Sequence, residues 1–400
     1  MCLGRESYGR TYAVVELSYL QDNIKAVKSH LRKGMQFCAV VKMDAYGHGI
    51  VEVARAVEEE CALFGVATIE EGIILRKGGI TTPILILGVV PKGQYRSLWH
   101  YDIMPSLFTR EQGEALSAIS KKEGKSLPCH LALDTGMGRI GIQVEKEGAV
   151  ELGLELFSLT GIEICGIFSH FACCDDRDKS YTEMQERRFA DYLKALEERG
   201  IKLPLCHLSN SAGILEGRGV QYDMVRDGIA MYGLYPSKDM ERKLPLKQVL
   251  SWKAKISHIK EVPSGEAISY GASFVTREPM RVATVPVGYG DGYPRVLSNK
   301  AKVLVGGKPC PILGRVCMDQ FMIDVSHTEA EVFQEVTLLG QEGEEEISLY
   351  DWEEWGVFSY EFLCNLGNRV PRVYKMKGKW VGTYDPLSSL HIEEYQEEEG

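Results

Sequence analysis

No stretch of this chain is long and apolar enough to cross a bilayer, and no apolar leader follows Met1. Basic residues are the minority, 46 against 56 acidic ones, for a formal charge of −10. That balance argues against nucleic acid or an anionic membrane as the main partner. Much of the acidic excess falls in Glu393-Glu394-Tyr395-Gln396-Glu397-Glu398-Glu399, so residues 389–400 read as a solvated tail. The eleven cysteines follow no regular spacing. A disulfide framework is therefore not expected, and a reducing cytoplasm is. His170, Cys173 and Cys174 lack the second Cys-x-x-Cys or His-x-x-x-His pair that zinc requires, so no metal site is expected. Internal repeats are absent too.

What is present suffices for two globular cores: 400 residues, 44% hydrophobic and 26% charged. From about Phe37 to Tyr235, short β-branched runs alternate with helical patterns. The spacing predicts strands at Phe37–Lys42, Leu63–Thr68, Pro83–Gly88, Asp102–Leu107, Cys129–Asp134, Ile162–His170, Leu205–Ser211 and Asp223–Arg226. A long helix is predicted over Tyr181–Arg199, with Phe189, Tyr192, Leu193 and Leu196 on one face and Gly200 as the stop. Strands alternating with helices imply right-handed βαβ units, and eight of them imply a closed parallel (β/α)8 barrel of the TIM type over residues 12–240.

Beyond Tyr235-Pro236-Ser237 the rhythm changes. Leu250, Trp252, Ala254 and Ile256 alternate, Arg281–Gly288 reads as a strand, and Lys302–Val305 followed by Gly306-Gly307 opens a hairpin. Helical spacing returns only near Ser359–Leu366. A mainly β C-terminal domain is expected over residues 241–388, and the strand at 12–17 could join either domain.

In a barrel of this kind, chemistry gathers at the C-terminal strand ends, with phosphate bound after strands seven and eight. Lys42 ends strand one, within Ala39-Val40-Val41-Lys42-Met43-Asp44-Ala45-Tyr46-Gly47-His48-Gly49. By spacing alone it could be a strand-end lysine reaching into water; desolvated, it would be a usable amine. Arg139 follows strand five, His170 ends strand six and Ser209-Asn210-Ser211 ends strand seven. Arg226-Asp227-Gly228-Ile229 closes strand eight and is expected to open a helix, whose first N–H groups, at Gly228 and Ile229, could hold a phosphate.

The lysine string resembles the lysine motif of the bacterial alanine racemase family, and further matches extend through most of the chain. They are Asp134-Thr135-Gly136-Met137-Gly138-Arg139, Phe168-Ser169-His170-Phe171-Ala172, Ser209-Asn210-Ser211-Ala212-Gly213, Arg226-Asp227-Gly228-Ile229, Ile268-Ser269-Tyr270-Gly271, Val287-Gly288-Tyr289-Gly290-Asp291-Gly292-Tyr293, Cys317-Met318-Asp319-Gln320 and Arg369-Val370-Pro371-Arg372. The resemblance implies a pyridoxal 5′-phosphate enzyme that interconverts L- and D-alanine, working as a homodimer with shared sites. Lys42 would carry the cofactor and move a proton on one face of the substrate; Tyr270, entering from the partner subunit, would serve the other. Arg226 would meet the pyridine nitrogen and His170 would orient it. Because a guanidinium only donates, that nitrogen would stay unprotonated and the cofactor would be a weaker electron sink, which disfavours side transamination. Tyr46, Ser211, Gly228 and Ile229 would hold the phosphate. Arg139 and the N–H of Met318 would bind the substrate carboxylate, with Tyr289 narrowing the entry and Asp319 shaping the facing wall.

Two departures from the family stand out. Where many members have a carbamylated lysine, two residues before Asp134, this chain has Ala132, so something else must orient Arg139. Asn368 stands before Arg369-Val370-Pro371-Arg372, where a tyrosine is usual. A short amide opens volume and offers hydrogen bonds, as in the serine-acting racemases of vancomycin resistance, which carry asparagine there. Serine is therefore expected as a second substrate, with a serine-preferring racemase as the alternative. A non-catalytic cofactor carrier would need neither Tyr270 nor the β domain. A decarboxylase of this fold type would place a carboxylate where Arg226 stands.

Overall fold

Eight short parallel strands form a ring in the computed structural model, in which residues 9–387 are described. Around the ring they run Ile84–Ile86, Leu63–Val66, Gln36–Val40, Met224–Asp227, Leu205–His207, Ile162–Phe168, Leu127–Asp134 and Ser106–Leu107. A parallel bridge between Leu85 and Met104 closes the circle, with Ile86 N–H donating to the Met104 carbonyl at 2.8 Å. The expected barrel is there, built from near-continuous apolar runs that are buried on both faces, as parallel strands require. The predicted strand over Asp102–Leu107 is shorter than expected, because Asp102 instead caps the helix Tyr95–Tyr101 in the left-handed conformation. The long helix is Ser180–Glu198, burying Phe189, Tyr192, Leu193 and Leu196.

The chain divides into two compact units. The barrel unit comprises Tyr19–Tyr46 and Ile50–Lys247; the other gathers the N-terminal strand, Gly47–Gly49 and the chain from Gln248 onward. In the second unit, Thr11–Glu16 pairs antiparallel with Leu250–Lys255 and parallel with Arg372–Met376. Leu250–Lys255 alternates buried and half-buried residues, as the sequence period demands. Lys302–Val305 and Lys308–Leu313 form a hairpin whose turn residues Gly306 and Gly307 both have positive φ, 58° and 72°. A second short helix, Leu349–Glu354, was not expected from the periodicity. Its start is fixed by a reciprocal cap between Ser348 and Asp351. The acidic tail, 389–400, lies outside the described residues.

Candidate active site

The barrel mouth is built on a backbone irregularity. One residue beyond Val41, Lys42 opens a turn in which Met43, Asp44, Ala45 and Tyr46 all have φ between 52° and 53°. Four successive side-chain-bearing residues in the left-handed region cost roughly 1–2 kcal/mol each, so outside groups must hold them. Glu71, from the helix Ile69–Lys77, accepts the N–H of Met43 at 2.6 Å and of Ala67 at 2.7 Å. Asp44 accepts the N–H of Ile50 at 2.8 Å. The effect is to end the strand abruptly and leave Lys42 half-buried at its mouth.

Arg226 lies inside the barrel, 3% exposed, and both its terminal nitrogens are hydrogen-bonded. Nη1 donates to His207 Nδ1 at 2.7 Å; Nη2 donates to the Ser169 carbonyl at 2.7 Å, the Leu208 carbonyl at 3.0 Å and His170 Nδ1 at 3.3 Å. Nε takes part in none of these bonds. Since a guanidinium only donates, His207 accepts at Nδ1 and carries its proton on Nε2. His207 Nε2–H can then donate to His130 Nδ1, 2.8 Å away. Phe168 stacks on His207, with ring centroids 5.1 Å apart, and the Arg226 guanidinium lies 5.5 Å from the Phe168 ring. Burial lowers the Arg226 pKa to about 10, still protonated at neutral pH. Burial, then the Arg226 charge, holds His130 at about 4 and His207 well below the usual histidine range. His170 is likewise held neutral, by burial and by the charges of Arg226, Arg139 and Lys42. Those three cations therefore converge on one ring.

Arg139 sits in a loop shaped by Asp134, whose Oδ1 accepts the N–H groups of Gly136 and Gly138, both at 3.0 Å. Ala132, two residues before Asp134, is buried and offers only a methyl group. At the ends of the seventh and eighth strands, Ser211 Oγ accepts the Gly228 N–H at 2.9 Å and donates to Asp227 Oδ1 at 2.7 Å. A Cβ on Gly228 would lie 2.6 Å from the Tyr46 hydroxyl, so only glycine allows this approach. The helix expected after Ile229 is instead a single turn: Tyr232 N–H bonds the Ile229 carbonyl and Gly233 N–H that of Ala230, and Gly233 with φ +94° ends it. The helix that does begin here is Ser211–Glu216, capped by the Asn210 side chain.

The barrel unit thus brings Lys42, Tyr46, Arg139, His170, Ser211, Arg226, Gly228 and Ile229 to one set of strand ends. The remaining candidates belong to the second unit and are exposed: Tyr270 at 71%, Met318 at 53%, Tyr289 at 44%, and also Asn368 and Asp319. Gly290 N–H donates to the Met318 carbonyl at 2.8 Å, and Arg369 pairs with Asp319 at 2.8 Å and with the buried Asp291 at 3.2 Å. This holds Tyr289, Met318, Asp319 and the residue after Asn368 together. Tyr270 is reached through Ser269, whose φ of 67° and ψ of 177° belong to a region used almost only by glycine. The Ser269 hydroxyl donates to the Arg315 carbonyl at 2.6 Å and holds that geometry. Sequence reasoning missed His207, His130 and Glu71. Alternation along Leu205–Ser211 puts His207 on the same face as Ser209, and Thr68-x-x-Glu71 is a capping-box signature; both signals were present.

Comparison with known proteins gives the family. Residues 15–236 match the family described as Alanine racemase, N-terminal domain, and residues 249–374 match Alanine racemase, C-terminal domain. The alanine racemase of Halothermothrix orenii is 44% identical over 370 residues, covering 92% of this chain and 97% of that protein. The solved alanine racemase of Clostridium difficile 630 is 37% identical and superposes with a TM-score of 0.89, over 94% of this chain and 99% of its own. That of Bacillus anthracis with bound L-Ala-P is 36% identical with a TM-score of 0.89, over 96% of this chain and 99% of its own.

Proposed function

Because this chain belongs to the alanine racemase family, whose members depend on pyridoxal 5′-phosphate, we propose that it interconverts L- and D-alanine with that cofactor held on Lys42. The observation that carries this reading is Arg226: a buried, protonated guanidinium whose two terminal nitrogens are engaged in bonds that Nε does not share, so that Nε would be the donor to a ring nitrogen. The Ser211, Gly228 and Tyr46 cluster would receive the phosphate: the Tyr46 hydroxyl lies against Gly228 at a close approach only glycine permits, and the Ser211 hydroxyl, which bonds Asp227 Oδ1 in this structure, would turn to it. When bound, the cofactor supplies an electron sink that makes the substrate α-proton acidic.

The chain's own residues do the rest. Arg226 cannot give up its proton readily, so the sink stays moderate and the proton returns to the α-carbon rather than elsewhere. Its charge is fixed by His207 and His170, both held neutral. Arg139 orients the substrate carboxylate with the Met318 N–H. Lys42 Nζ exchanges the α-proton on one face and Tyr270, contributed by a second copy of the chain, exchanges it on the other. Two groups on opposite faces meet the need for inversion without either crossing the substrate plane. A homodimer with shared sites follows from this division of labour.

Asn368 supports a second substrate. It is exposed and adjoins Arg369, which is anchored to Asp319 and Asp291. A short amide there leaves room for a hydroxymethyl group and can hydrogen-bond it, which extends the reading to serine. The test is direct: the purified chain, supplied with the cofactor and L-alanine, should form D-alanine by chiral chromatography, and no D-alanine from a cofactor-loaded, yellow protein would refute the assignment.

A further inference from the structure

Asp227 lies between the two groups proposed above to hold the cofactor phosphate, yet the mechanism gives it no task. It is fully buried. Its Oδ1 accepts a hydrogen bond from the Ser211 hydroxyl at 2.7 Å, and the same Ser211 oxygen accepts the Gly228 N–H at 2.9 Å. Its other oxygen, equally buried, has no hydrogen-bond partner among the described residues. As arranged, Ser211 spends its only proton on a carboxylate and has none for a phosphate. A second anion placed beside this carboxylate in a dry pocket would be repelled by it.

We propose that Asp227 is a proton-operated element of the phosphate site: it takes up one proton from solvent as the phosphate binds. The protonated carboxyl then donates its O–H to Ser211 Oγ, and the Ser211 hydroxyl turns its own proton from Asp227 to the phosphate. One proton enters and one hydrogen bond reverses direction; nothing else is exchanged. The inference rests on the reading that Ser211, Gly228 and Ile229 receive the cofactor phosphate.

The surroundings support this. Burial raises the Asp227 pKa to about 7, against the opposing pull of the Ser211 hydroxyl and of nearby backbone N–H groups that leave its second oxygen without a hydrogen bond. On the neighbouring strand Gln36–Val40, the Cys38 thiol is pushed up to about 12, chiefly by burial, and stays protonated. Arg226, next in sequence, keeps its charge, with a pKa of about 10. The Tyr46 hydroxyl lies against Gly228. Of Asp227, Cys38 and Arg226, Asp227 is the one that changes charge near neutrality.

The test measures affinities of the full-length chain for pyridoxal 5′-phosphate and for pyridoxal, which lacks the phosphate, from pH 6 to pH 9. Taking their ratio cancels the titration of Lys42, which both ligands share. In the wild type the ratio should fall about tenfold per pH unit once Asp227 is ionised, the slope of a single linked proton. In Asp227→Asn, whose amide always donates to Ser211, the ratio should stay high and flat. The uptake on binding pyridoxal 5′-phosphate minus that on binding pyridoxal, read at pH 8 with an indicator dye in weak buffer, should be close to one proton in the wild type, the subtraction removing the protons of Lys42 and the ring that both ligands share. Parallel profiles in the two proteins, or no difference in uptake between the two ligands, overturn the role of Asp227 while leaving the phosphate site intact. Equal affinity for the two ligands at every pH overturns the phosphate site and this inference with it.

Discussion

Glu71 Oε1 accepts the N–H of Met43 at 2.6 Å, tying the helix Ile69–Lys77 to the left-handed turn that starts right after Lys42. The other oxygen of Glu71 accepts the N–H of Ala67 at 2.7 Å, so one carboxylate serves two strand ends. Removing it strands backbone donors and releases a turn that is costly by itself. Glu71→Ala should lose about 2–3 kcal/mol of stability, the usual toll for a charge-assisted bond and an unpaired donor. It should also lower kcat for alanine more than it raises KM, because Lys42 would be held but poorly aimed. Glu71→Gln, which keeps one acceptor oxygen, should recover part of both. If Glu71→Ala melts and turns over like the wild type, the brace is not needed.

The three neutral histidines predict acid lability. His130 has a folded pKa of about 4 against an ordinary 6.5. A depressed histidine contributes stability that is complete above the unfolded pKa and is lost as pH falls through the folded one. His130 alone should therefore forfeit roughly 3 kcal/mol between pH 6.5 and pH 4, at 1.36 kcal/mol per unit. His207 and His170, shifted in the same direction, add to the slope. Urea denaturation midpoints between pH 7.5 and pH 4.5 measure it. His130→Gln should flatten the curve, and an unchanged slope in that variant would show the loss to arise elsewhere.

Much of the fold could be read from the sequence because each barrel strand is a short apolar run between helical patterns, and that alternation has few solutions. The details that eluded it have a common cause. The left-handed turn at Met43–Tyr46 carries no propensity signal, since ordinary residues there are held by Glu71 and Asp44 rather than by their own preference. The relay from Arg226 through His207 to His130 depends on register between strands, such as Met224 opposite His207, which no local pattern encodes. The turn after Ile229 looked like a helix start because Gly-Ile-Ala-Met carries no stop; the stop is the left-handed Gly233. Candidate site residues were legible where they sat in motifs at strand ends, and hidden where they act through another side chain.

Asn368 makes the substrate question measurable. Replacing it with tyrosine removes the short amide and fills the space it leaves. Asn368→Tyr should lower kcat/KM for serine relative to alanine by tenfold or more, within the ~1–3 kcal/mol that a pocket group commands. Alanine itself should change little. Wild-type turnover of serine below about a hundredth of that for alanine, roughly 2.7 kcal/mol in transition-state binding, would sink the serine reading before the variant is made.

Shared sites predict complementation between damaged subunits. Lys42→Ala removes the amine that carries the cofactor, and Tyr270→Phe removes the hydroxyl proposed to act on the opposite face. Tyr270 is 71% exposed on its own chain, as a residue serving another copy's site would be. Each variant alone should be nearly inactive in racemisation. A heterodimer of the two has one site with both defects and one with neither, so it should regain up to half the wild-type activity per dimer. Differently tagged chains, purified as the mixed species and assayed for D-alanine, provide the measurement. If both groups came from the same chain, every site in the mixed species would lack one of them. Activity would then stay at the level of the parents, and the two-copy arrangement would be wrong.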